Sequence, residues 1–166
     1  MALNLAEKKN IVIKINQIAK TALSAVIATL KNIPANKITE LRKISRTENV
    51  FLYVIKHTLL KLSLKDTQLA CLNTKINGST LIGFSLDNPG SAAKIFQRFS
   101  QENQGFSIIT AALNNKILSQ IEIHDLANLP NFKEAITRFI ITIKTATIGQ
   151  LFSTLLAIKD KKIILK

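Results

Sequence analysis

The stretch FLYVIKHTLLKL, residues 51–62, opens as an unbroken apolar run, breaks at Lys56, His57 and Thr58, and resumes as Leu-Leu-Lys-Leu. Its first half is β-branched and aromatic and reads as a buried strand, while the second half has the length and spacing of a short helix. The polar trio then falls where a strand ends and a helix begins. Such a junction presents unpaired backbone N–H groups that favour phosphate, Lys56 adds a full charge, and Thr58 is placed to cap the helix or to donate to a phosphate oxygen. Taken by itself, the stretch favours a plainer alternative: a capping threonine, a solvated lysine and a histidine covering a core edge.

The same alternation extends in both directions. Residues 4–19 read as an amphipathic helix, with Asn4 and Glu7 spaced as a capping box and Ile11, Ile15, Ile18 and Ala19 at helical intervals. ALSAVIATL, residues 22–30, is a buried strand. Pro34 opens a helix in which Ile38, Leu41 and Ile44 form an inward stripe and Arg42, Lys43 and Arg46 a basic outer face. After VFLYVIK and the helix HTLLKLSLK, residues 66–72 read as a further helical turn. STLIGFS is a third strand; Asn88-Pro89-Gly90 turns into a helix carrying Ala92, Ala93, Phe96 and Phe99. FSIITAAL is a fourth strand, leading to a short helical segment that stops at Leu129-Pro130. This predicts an α/β domain over residues 1–130, with about four strands flanked by helices.

Beyond Pro130 no strand pattern remains, and residues 131–166 read as a helical extension. Asn131 and Glu134 supply another capping box; Ile136, Phe139, Ile140 and Ile143 form one apolar stripe, and Ile148, Leu151, Phe152, Leu155 and Leu156 resume it after a weaker Thr-Ala-Thr segment. A helix with so strong a stripe either packs back on its own domain or awaits a partner.

The charge points to a polyanion. Lys and Arg number 23 against 10 Asp and Glu, a formal net charge of +13, in a chain whose 47% hydrophobic content is sufficient for a folded core. Nucleic acid is one candidate and anionic membrane surface the other. The longest nearly apolar stretch is far short of a spanning helix, so the membrane reading is limited to a peripheral protein that uses the basic amphipathic C-terminal helix. The opening residues lack the uninterrupted apolar core of a signal peptide, and the single Cys71 fits a reducing cytoplasm.

Catalytic patterns are missing. His57 and His124 are the only histidines, no metal-ligand spacing is present, and neither a phosphate-binding glycine loop nor a nucleophile elbow occurs among five glycines. No enzyme, metal or cofactor is expected. Tyr53 is the only tyrosine and tryptophan is absent, so base stacking has few platforms; contact with RNA is expected through phosphates and shape.

MALNLAEKKNIV, ALSAVIA, TELRK, K-H-T-L-L, STLIGFSLDNPGSAAKIF and LPNFKEAI occur in this order along nearly the whole chain. Together they resemble the bacterial large-subunit ribosomal protein L-ten family, the base of the lateral ribosomal stalk. The resemblance implies a cytoplasmic, ribosome-bound, non-catalytic protein: an α/β domain on large-subunit rRNA beside an L-eleven-type protein, and a C-terminal helix carrying dimers of the acidic L-seven/L-twelve-type stalk protein, which serve translational GTPases. By position it implies rRNA contacts for Lys56, His57, Thr58 and Lys61, which the charge pattern supplements with Arg42, Lys43 and Arg46. Stalk docking falls to Ile136, Phe139, Ile140, Ile143, Ile148, Leu151, Phe152, Leu155 and Leu156. The family usually has Asn where this chain has His57.

Overall fold

The computed structural model describes residues 4–65, 67–76 and 78–164. The chain divides into two compact units that meet between Leu129 and Pro130. In the first, helix α1 (Leu5–Thr21) leads to strand β1 (Ser24–Leu30), α2 (Ala35–Thr47), β2 (Val50–Lys56) and α3 (His57–Ser63). A 3-10 turn (Ala70–Thr74), β3 (Ser79–Ser85), α4 (Ser91–Glu102), β4 (Phe106–Leu113), β5 (Lys116–Leu118) and α5 (Gln120–Asn128) complete it.

The strands form one sheet in the order β2-β3-β1-β4-β5, and every neighbouring pair is antiparallel. Strands β1 and β2, joined through α2, are separated by β3; strands β3 and β4, joined through α4, are separated by β1. Two split βαβ units are thereby interleaved, and β2 is left as an edge strand.

Both faces of the sheet are covered, which explains why its central strands are apolar without alternation. On one face Val26, Ala28, Leu81 and Ala111 pack with Leu41 of α2, Phe96 and Phe99 of α4 and Leu126 of α5. On the other, Ala25, Ile27, Ile82, Phe84 and Ala112 pack with Ile15 and Ala19 of α1, Leu60 and Leu64 of α3, and Leu72. Gly83 belongs to the first face, where the Phe96 ring lies so close that a Cβ would stand 2.8 Å from its Cζ atom.

The structure departs from the sequence reading in three places. A fifth strand is present: Asn114 and Asn115, with φ of 48° and 63°, make a two-residue turn that returns the chain from Leu113 to Lys116. Paired positive φ values are the hallmark of the type I′ hairpin, and asparagine adopts them more readily than other residues with a side chain. In α2 the buried positions are Leu41 and Ser45, and Ile44 is exposed; Ser45 is tolerated inside because its hydroxyl donates to the Leu41 carbonyl at 2.7 Å. The turn expected over residues 66–72 forms later and as a 3-10 turn, Asp66 itself lying outside the described residues.

The second unit consists of α6 (Phe132–Lys144), a π-helical turn (Thr145–Gly149) and α7 (Gln150–Ile164). The Asn131–Glu134 capping box forms, the Asn131 N–H donating to Glu134 Oε2 at 3.3 Å. No residue of α6 is buried.

Candidate functional site

Strand β2 passes into α3 without an intervening residue: Lys56 ends the strand and is also the N-cap of the helix. Helix α3 is fixed from beneath by Leu60 and Leu64, both fully buried. Its C-terminal end and the residues just after it are tied to α1, where Asn16 Nδ2 donates to the Ser63 carbonyl at 3.0 Å and the Lys65 carbonyl at 3.3 Å. His57, Thr58 and, in part, Lys61 are left facing solvent. Thr58 does not cap the helix. It stands one position inside, because the helix begins at His57 and the N-cap, Lys56, makes no side-chain capping bond. At seven residues α3 also sums few peptide dipoles, so positive charge here comes chiefly from Lys56 and Lys61.

Arg42 and Arg46, four residues apart and on one side of α2, overhang the outer edge of β2. Together with Ser45, Asn49 and residues 50–54 they line an open groove of about 600 Å³. Asn49 sets the turn into β2: its backbone is left-handed, with φ of 53°, and its Nδ2 donates to Asp87 Oδ2 at 2.8 Å. Lys43 points elsewhere, since successive residues of a helix are rotated by about 100°, and it is absent from the groove lining. The three cations named from the sequence are therefore a pair and an outlier.

Strand pleating decides where Lys56 belongs. Val50, Leu52, Val54 and Lys56 share one side of β2, and Val50 and Leu52 pack in the α2 layer. Lys56 thus extends the line begun by Arg46 and Arg42 along the sheet edge, whereas His57, Thr58 and Lys61 lie on α3 in the opposite layer. The exposed apolar side chains Phe51 and Val54 were not legible from the sequence as surface; their position on an edge strand is a property of strand order, which the sequence does not state.

The second histidine has a local partner: His124 Nδ1 on α5 is hydrogen-bonded to Gln97 Nε2 on α4. Glu122, at the start of α5, is held below the usual carboxylate range by the Ser119 backbone N–H, then by the Ser119 hydroxyl, with Lys116 adding a weaker attraction. The first ties α5 to the middle of α4, and the second caps the start of α5. Among the described residues no cluster of three potential metal ligands occurs.

In the tail, apolar side chains are exposed. Phe139 is 66% exposed, Leu151 66% and Leu155 64%, and Ile136, Ile140, Ile143, Phe152 and Leu156 are exposed too. Ile148 lies within the π-helical turn, but its side chain is outside the described residues.

An antiparallel sheet sandwiched by helices, a cationic sheet edge and a helical extension with exposed apolar side chains define a basic α/β protein. Residues 3–101 match the family described as Ribosomal protein L10. The chain is 46% identical over 162 residues to the large ribosomal subunit protein uL10 of Buchnera aphidicola subsp. Schizaphis graminum, covering 98% of each chain. It is 48% identical to the protein of that name from Buchnera aphidicola subsp. Acyrthosiphon pisum (strain Tuc7) and 42% identical to that of Aeromonas salmonicida, again with 98% of each chain covered. The chain belongs to the ribosomal protein L10 family, whose members are structural and non-enzymatic.

Proposed function

We propose that this large-subunit ribosomal protein, working in the ribosome in the cytoplasm, joins rRNA to the acidic stalk. Residues 1–130 grip large-subunit rRNA and adjoin an L-eleven-type protein. Lys56, His57, Thr58 and Lys61 meet the RNA from the β2–α3 junction, and Arg42 and Arg46, with Lys43 on the neighbouring helix face, meet it from α2. Residues 131–166 dock dimers of the acidic L-seven/L-twelve-type protein through Ile136, Phe139, Ile140, Ile143, Ile148, Leu151, Phe152, Leu155 and Leu156, and so serve translational GTPases indirectly.

The observation that carries this reading is the tail's composition in space: a helix of thirteen residues with none buried that nonetheless displays Phe139, Ile140 and Ile143. Such a surface is costly in water and is stabilised when an apolar groove covers it. The cationic edge of β2 fits a phosphate backbone for the complementary reason of charge.

Binding of the full-length chain to its rRNA fragment, measured across salt concentrations, tests the anchor. Arg42→Ala and Arg46→Ala should each weaken binding and reduce the slope of log K against log salt by about one. An unchanged slope removes those arginines from the interface. Equal affinity of the wild-type chain for an unrelated duplex removes the anchor role.

A further inference from the structure

Helices α6 and α7 each carry an apolar stripe, and the relation between the stripes depends on the turn that joins them. An α-helix rotates about 100° per residue. Continued unbroken from Phe132 to Ile164, it would set the mean direction of Ile136, Phe139, Ile140 and Ile143 about 120° from that of Leu151, Phe152, Leu155, Leu156 and Ile158. One stripe would then face largely away from the other.

The connection is a π-helical turn, Thr145–Gly149. A π turn takes up one residue more than an α turn, so everything after it is rotated back by about 100°. The two stripes are brought to within roughly 20° of each other. The local sequence favours such widening. Thr145 and Thr147 are β-branched and Gly149 lacks a side chain, all weak α-formers. The Thr145 hydroxyl also donates to the Ile141 and Thr142 carbonyls, both at 3.0 Å, drawing on acceptors of the preceding turn.

Charge indicates what covers the merged face. Lys133, Arg138, Lys144, Lys159, Lys161, Lys162 and Lys166 stand against only Glu134 and Asp160 in the tail. A second copy of this chain would bring like charge to like charge, whereas an acidic partner with an apolar groove complements both the stripe and the tail's net charge.

We propose that the π turn sets the phase of the tail, merging the two stripes into one continuous face along which acidic stalk-protein dimers dock in a single adjoining row. This rests on the docking role proposed above. The test compares four full-length chains: wild type; a chain lacking Ala146; a chain with one alanine inserted between Gly149 and Gln150; and a chain with both changes, which restores the length. Each is titrated with the purified acidic stalk protein in a calorimeter, and helix content is followed by circular dichroism.

Deleting Ala146 removes the extra residue of the π turn and leaves a continuous α-helix with the stripes still about 20° apart, so that chain and the length-restored chain are expected to bind as wild type. The chain with the insertion alone is expected to bind at least tenfold more weakly at equal helix content. Wild-type affinity in the chain with the insertion alone would overturn the proposal while leaving the docking role intact, because the stripes would then act independently. Failure of the length-restored chain to recover would also overturn it, by assigning the effect to the side chains of the turn. Absence of binding by the wild-type chain would remove the docking role itself.

Discussion

Strand β1 and helix α6 are both rich in aliphatic side chains, yet they meet opposite environments. Ala25, Val26, Ile27 and Ala28 are fully buried in sequence, alternating between two helix layers; Phe139, Ile140, Ile141 and Ile143 are all about half exposed or more. The difference teaches that an apolar pattern states a need for cover without saying who supplies it. In β1 the cover is intramolecular, because a strand at the centre of a five-stranded sheet has helices on both sides. In α6 the need is left open. Burial therefore separates residues that hold the fold together from residues whose apolar surface remains exposed.

This contrast is sharpest in stability measurements. Ile82→Ala, at a fully buried position in the α1 and α3 layer, should cost about 2–5 kcal/mol, a large fraction of the total for such a domain. The shift of the urea midpoint checks it. Gly83→Ala on the neighbouring position adds only a methyl group, but one that meets Phe96 Cζ at 2.8 Å and Leu52 Cδ2 at 3.2 Å. An overpacking loss of about 1–3 kcal/mol is expected in the same assay.

A smaller effect lies at the start of α5. The Ser119 hydroxyl accepts from the Glu122 N–H at 3.4 Å, and the Ser119 N–H donates to Glu122 Oε2, so Ser119→Ala should cost about 1 kcal/mol. The Glu122 carboxyl is lowered in the folded state. Its stabilising contribution is thus fully present above the ordinary carboxylate value of 4.5 and is lost as pH falls through the lower folded value. Urea midpoints for wild type and Glu122→Gln should converge in that acid range; parallel curves would show that the carboxylate contributes nothing there. At the other end of the comparison, Phe139→Ala removes a ring as large as any in the core but should change domain stability by less than about 0.5 kcal/mol. A loss comparable to that of Ile82→Ala would close the distinction between the two regions.

Legibility in the sequence followed the same division. The strands 50–56, 79–85 and 106–113 were readable to the residue because β-branched runs end abruptly at polar or turn residues. The capping boxes at Asn4, Ser119 and Asn131 form as local interactions, and those at Asn4 and Asn131 were readable in advance. Strand β5 was missed because three residues give too little periodicity, although Asn114-Asn115 was available as a hairpin signal. Strand order was beyond reach: nothing in β2 itself says that it lies at an edge. For the same reason Arg42 and Arg46 could be recognised as a basic helix face, but their position over an open strand could not. Ile44 and Ser45 exchanged their expected places because a serine that satisfies its own helix is admissible in the interior. The tail's stripes were legible from spacing, whereas their relative phase depended on a local helix widening that spacing alone conceals.

The absence of any residue between Lys56 and His57 bears on mechanics. A load applied to α3 reaches β2 without slack and is passed to β3 through seven register pairs, from Lys56↔Ser79 to Val50↔Ser85. The ladder bonds run across the strands, so a pull along β2 strains them together in shear, where a pull across it would open them one after another. The junction is a stiff coupling: tension at α3 is carried by the whole length of the strand into the middle of the sheet.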